Sequence, residues 1–114
     1  MTKSGRGAIG FTRVGETLFP SVGYASIDDV AGTGDVRMIR EGRSPQDGFT
    51  EYGGRFRWGD YGAAAVDGDS VFLAGQYIEQ PTCTIEDFFA TNGECWGYRT
   101  IAANWTTRVT KLKP

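Results

Sequence analysis

Apolar residues in this chain come in short runs cut by glycine and turn residues. AIGFTRV (8–14) mixes β-branched and aromatic residues and reads as a strand. SVGYASI (21–27) alternates large and small residues and stops at Asp28-Asp29, a turn signal. VRMI (36–39) alternates apolar with basic, the pattern of a half-exposed strand. FTEY (49–52) is a short run between Asp47-Gly48 and Gly53-Gly54. YGAAAVD (61–67) is small and apolar nearly throughout, and Asp67-Gly68-Asp69 turns it into VFLAGQYI (71–78). TTRVTKL (106–112), after YRTIAANW, closes the series. The pattern predicts hairpins pairing 21–27 with 36–39 and 61–67 with 71–78. Helix signals are weak. The best is one turn over 84–89, where Thr84 is placed to cap and Asp87 to close a capping box. The predicted class is all-β, built of antiparallel sheets.

A repeat underlies this order. PSVGYASID (20–28) lies over GDYGAAAVD (59–67) at an offset of 39 residues: Gly23 on Gly62, Ala25 on Ala64, Ile27 on Val66 and Asp28 on Asp67. Each copy turns and enters a second strand, and FTRV (11–14) is echoed by TTRV (106–109). A hairpin repeating at about 40 residues is the signature of a β-propeller blade. In that reading the chain is one β domain over 1–114, with approximate blade units 8–56 and 57–114. The small-residue strand is then the innermost one, crowded by its neighbours. A small β-sandwich or barrel is the alternative, since a close-packed inner strand there also favours small residues.

Composition narrows the chemistry. The 114 residues suit one domain. Twelve basic against fourteen acidic residues leave a net charge of −2, which is no nucleic-acid footprint. No histidine is present, which removes Ser-His-Asp and Cys-His nucleophile systems and most zinc sites. Seventeen glycines fit many tight turns. No run approaches the roughly 18 apolar residues of a membrane helix, so no membrane insertion is expected. The first residues lack the apolar core of a signal peptide. Cys83 and Cys95 flank a loop-like segment. They are either two thiols of a cytosolic protein or one disulfide of an exported one. The disulfide is the expectation, and closing so short a loop is worth about 3 kcal/mol in the chain-entropy model. Gly5-x-Gly7-x-x-Gly10 has dinucleotide-motif spacing but no strand-then-helix context, and Asp67-Gly68-Asp69 lacks the ligand spacing of a calcium loop. Asn104-Trp105-Thr106 is a glycosylation sequon. No metal site and no cofactor are expected.

The stretch Arg57-Trp58-Gly59-Asp60-Tyr61-Gly62-Ala63-Ala64-Ala65-Val66-Asp67-Gly68 resembles an element of exported bacterial sialidase-like, or BNR-like, β-propeller proteins. VFLAGQYI, NWTTRVTKL and Ser44-Pro45-Gln46-Asp47-Gly48-Phe49 resemble the same pattern. The resemblance implies the C-terminal blades of an extracellular or periplasmic parent protein. Two departures qualify it. About two blades fall short of the four a propeller needs, and the Asp-box Ser-x-Asp-x-Gly-x-Thr-Trp is absent.

Arg57, Asp60 and Tyr61 sit together at the start of a predicted inner strand. Functionally, Arg57 would grip an anion while Asp60 and Tyr61 bind or act on a sugar. Structurally, Asp60 would cap the strand-entry turn and Tyr61 would pack between blades. Trp58 and Trp96 lie beside loops and are expected to be exposed as sugar-stacking or interface residues. Tyr24, Tyr77 and Trp105 are expected in the core. The candidate ligand-binding set is therefore Arg57, Trp58, Asp60, Tyr61 and Trp96, for a glycan or protein ligand, with no catalytic residue assigned. The function expected is a non-catalytic binding or scaffold module. A fragment of a sialidase-like glycoside hydrolase is the alternative. Two blades would leave Phe11, Phe72, Leu73 and Tyr77 uncovered, so self-association, or further blades of a larger chain, is expected.

Overall fold

The first forty residues form an antiparallel meander. β1 (Arg6–Gly15), β2 (Leu18–Asp28) and β3 (Gly32–Arg40) pair in that order, with β2 central. The turn from β2 to β3 is set by Asp28, whose Oδ1 accepts from the backbone N–H groups of Val30 and Ala31, each at 2.9 Å. A two-strand ladder follows, β4 (Glu51–Tyr52) with β5 (Arg55–Phe56). The second three-stranded sheet holds β6 (Ala63–Asp67), β7 (Ser70–Ile78) and β8 (Trp105–Leu112), again antiparallel, with β7 central. Between β7 and β8 lies the short helix α1 (Ile85–Ala90). The computed structural model describes residues 1–47, 51–52, 55–56, 58–59, 61–97, 99 and 103–114.

The all-β expectation is met, and both predicted hairpins are present. β2 pairs with β3 in the register Ala25↔Val36 and Tyr24↔Arg37. β6 pairs with β7 as Ala64↔Leu73, and Asp67↔Ser70 closes a two-residue turn at Gly68-Asp69, where Gly68 has φ 57°. Asp67-Gly68-Asp69 is thus a tight turn. Gly5, Gly7 and Gly10 lie at the entry to β1 and within it. Thr84 caps α1, its hydroxyl accepting from the Asp87 N–H at 3.1 Å. Of FTEY, Glu51 and Tyr52 are strand, and Phe49 and Thr50 lie outside the described residues.

Period-two alternation explains how the sheets meet. On β7, Val71, Leu73 and Tyr77 share one face with Gly75, and all three side chains are buried. On the facing sheet, Val22 is buried and Gly10 lies against Leu73. The backbones come close because two residues carry no side chain. A Cβ on Gly75 would collide with Val22 Cγ2, and one on Gly10 would touch Leu73 at 3.5 Å. Burying each large core side chain is worth about 1.5–3 kcal/mol.

Three expectations are corrected here. Leu73 is a core residue and not an uncovered one, because the other sheet packs on it, while Tyr77 is buried as its core assignment expects. Phe11 and Phe72 are half-buried. The bare apolar surface is elsewhere, on the outer face of the first sheet, where Ile9, Val36 and Met38 are exposed. Next, the repeat does not fix sheet position. β2 is central, whereas its counterpart β6 is an edge strand with every residue exposed. Crowding therefore does not explain the alanines of β6. Finally, Tyr24 and Trp105 are half-buried and not core.

The molecule is long, 54 × 28 × 27 Å, and its radius of gyration is 16.7 Å. A compact chain of this length has about 13 Å. Much sheet surface therefore stays in solvent.

Candidate functional site

Of the residues singled out from sequence, Arg57 and Asp60 lie outside the described residues. Trp58 is half-buried, not exposed. Beside it Gly59, with φ 74°, donates its N–H to Gln76 Oε1 at 2.7 Å and so pins the entry to β6 onto β7. Tyr61 is 82% exposed at the rim of a cleft of about 210 Å³. Gly10, Thr12, Val22 and Leu73 line the cleft between the open edges of β1 and β6. Tyr61 therefore does not pack in the core. Trp96 lines neither this cleft nor the adjoining one over Ala8, Gly62 and Ala63.

Trp96 belongs to a second region, the loop closed by Cys83 and Cys95. These two form the expected disulfide, with Cα atoms 5.8 Å apart across a separation of 12 residues. Inside the loop, Thr91 Oγ1 donates to the Asp87 carbonyl at 2.7 Å and accepts from the Cys95 N–H at 2.7 Å. Asn92, Cys95 and Trp96 all have left-handed backbones, at φ 55°, 49° and 61°. For residues with a Cβ this geometry costs of order 1–3 kcal/mol each and persists where the surroundings enforce it. The disulfide and the Thr91 bonds are that enforcement. The result is a fixed knob with three large side chains in solvent. Trp96 is 79% exposed, Phe89 is 72% exposed, and Ile85 is also exposed. Ile85 and Phe89 are four apart on α1 and so share a face. That spacing was readable in the sequence as an apolar pair within an acidic segment.

A buried polar hub roots the knob in the sheets. Asn104 is fully buried; its Nδ2 donates to the carbonyls of Pro45 and Gln80, at 2.8 and 3.2 Å, and its Oδ1 accepts from the Asp47 N–H at 3.1 Å. Asp47 Oδ2 accepts from Arg99 Nη1 at 2.9 Å and from the Cys83 N–H. The sequon asparagine is therefore an internal clamp, and its amide has no room for a glycan. Nothing local in the sequence marks this hub, whose bonds span up to 60 residues.

Glu79 gathers a further cluster. Its Oε1 lies 3.3 Å from Arg40 Nη2 and 3.6 Å from Arg43 Nη1, and Tyr77 hydrogen-bonds to it. Burial pushes the Glu79 carboxyl up, but Tyr77 and the two arginines more than offset this and hold it below its ordinary value. Burial first, and then Glu79, raise the Tyr77 phenol. A phenol raised in this way is held protonated, which suits packing and not nucleophilic attack. Among the described residues no group of three or more acidic or thiol side chains is placed to hold a metal ion.

No protein-family model, curated protein or solved structure matches this chain.

Proposed function

We propose that this chain is a non-catalytic binding or scaffold module. Its two sheets act as β-propeller-type blades of an exported, sialidase-like protein that cover their open faces by association. The observation that carries the reading is the bare apolar outer face of the first sheet, with Ile9, Val36 and Met38 in solvent. Register sets Ile9, Ala25 and Val36 in one row and Phe11, Gly23 and Met38 in the next. An apolar patch of this kind marks an interaction surface. Among the described residues the two three-stranded sheets leave β1, β3, β6 and β8 at their edges, which adds unpaired backbone groups. The disulfide is compatible with an oxidising compartment. Exposed Tyr61 and Trp96 offer aromatic faces to a protein or glycan partner.

Sedimentation velocity across the micromolar range tests the reading. The expected result is a sedimentation coefficient that rises with concentration. A cooperative monomer over the whole range overturns the reading.

A further inference from the structure

Two apolar features stand in solvent among the described residues, and they differ in charge. One is the convex, disulfide-closed knob. The other is the flat outer face of the first sheet. We propose that the knob of one copy docks, through Phe89 and Trp96, on the Ile9–Val36–Met38 face of a second copy. The contact rests on the associating-module reading above and specifies which surfaces associate.

Charge argues for this pairing. Between Cys83 and Gly97 the chain carries Glu86, Asp87 and Glu94 and no lysine or arginine. Two knobs would therefore repel each other. At one end of the apolar rows of the sheet face stands Arg13, opposite Ser21, and its stem lies over Gly23 beside Phe11 and Met38. The acids of the hairpin lie toward its turn: Asp28 and Asp29 follow Ile27, and Asp35 precedes Val36 on β3. The acidic knob is thus directed to the Arg13 end. Rigidity argues the same way. The backbone of Phe89 is held by the capped turn of α1 and that of Trp96 follows the disulfide-bonded Cys95, so little loop freedom remains to be lost on docking. Exposed tryptophan on fixed backbone is the side chain most often found at the energetic centre of an interface.

A contact between different patches on two copies runs head to tail, and it makes a ring or an open chain according to the rotation between copies. That gives a test by complementation. Phe89→Ser with Trp96→Ser removes the knob; Val36→Glu with Met38→Glu spoils the face. All four positions are exposed or near the surface, so both variants keep the fold. Each alone is expected to weaken self-association by about tenfold or more in sedimentation velocity. Mixed in equal amounts, they are expected to form a one-to-one dimer at wild-type affinity, because one brings an intact face and the other an intact knob. Arg13→Glu, a milder change, is expected to weaken association several-fold at low salt and less at high salt. If both variants associate like wild type, this contact is overturned while the module reading stands. Loss only in the face variant, or no dimer in the mixture, assigns the interface to two like faces and also overturns it. A wild-type chain that never associates overturns both.

Discussion

β2 and β6 begin from nearly the same sequence pattern and end in opposite surroundings. Gly23, Ala25, Ile27 and Asp28 of β2 correspond to Gly62, Ala64, Val66 and Asp67 at β6. In β2 the glycine and alanine are buried, while in β6 every residue is exposed. The difference is made by the third strand of each sheet. β1 precedes β2 and pairs with it, so β2 becomes central. In the second sheet the extra strand, β8, pairs with β7, and β6 is left at the edge. Composition gave both strands small residues, and topology gave only one of them two neighbours.

Proline should break this comparison most sharply. A central strand uses every backbone N–H in a ladder, toward one neighbour or the other. An edge strand turns alternate N–H groups outward. Tyr24→Pro and Ala25→Pro, at positions paired on both sides, should each cost about 3 kcal/mol or more in urea unfolding. Of Ala64→Pro and Ala65→Pro, one should cost under about 1 kcal/mol, because one of two successive N–H groups faces away from β7. If all four substitutions unfold the chain alike, β6 is not an edge strand in solution.

The glycine pair sharpens the same contrast with a smaller effect. A Cβ on Gly23 would sit 2.9 Å from both the Arg37 carbonyl and Arg13 Cδ, and the carbonyl is backbone that cannot step aside. On Gly62 the nearest atom would be the Ala74 carbonyl, at an ordinary 3.6 Å. Gly23→Ala should therefore destabilise by about 1–3 kcal/mol. Gly62→Ala should stay within about 0.5 kcal/mol of the parent. Both values come from urea midpoints.

What the sequence could and could not disclose divides along the same line. Turn residues punctuate locally, so the strands, both hairpins, the Thr84 cap and the short helix were legible. The disulfide was legible because the chain has one cysteine pair at close spacing. Which strand is central was not, since it depends on β1 and β8, which lie outside the repeated hairpin. Nor was the cover over Leu73: it comes from a sheet some fifty residues away, and Ile9, Val36 and Met38 look no different from Leu73 in a hydropathy pattern. Of the candidate site, Trp96 was rightly expected in solvent, whereas Trp58 was not. Ile85 and Phe89 were overlooked because α1 was read only as a helix signal. Asn104 was read as a sequon, because its partners around residues 44–47 and 80 are distant in the chain.

The last matched pair is Asp28 against Asp67, and its effect is the smallest. The Asp28 carboxylate accepts from the N–H groups of Ala31 and Val30, and Arg6 Nε lies 3.7 Å away. Those two backbone donors first, and then the arginine's charge, hold its pKa below the ordinary 3.8. A carboxyl depressed in the folded state stabilises the fold fully above its unfolded pKa, and that contribution fades as pH falls through the folded value. Asp28→Asn keeps a side-chain acceptor and removes only the charge. It should lower the urea midpoint slightly at neutral pH, and the gap to wild type should close as the pH falls below the ordinary carboxylate range and the wild-type carboxyl takes up its proton. Asp67 makes no side-chain hydrogen bond or ion pair among the described residues, and its turn is shaped by Gly68 instead. Asp67→Asn should leave the neutral-pH midpoint where it is. If the two substitutions act equally at neutral pH, the two hairpins close by the same device, and the asymmetry between them is confined to the strands.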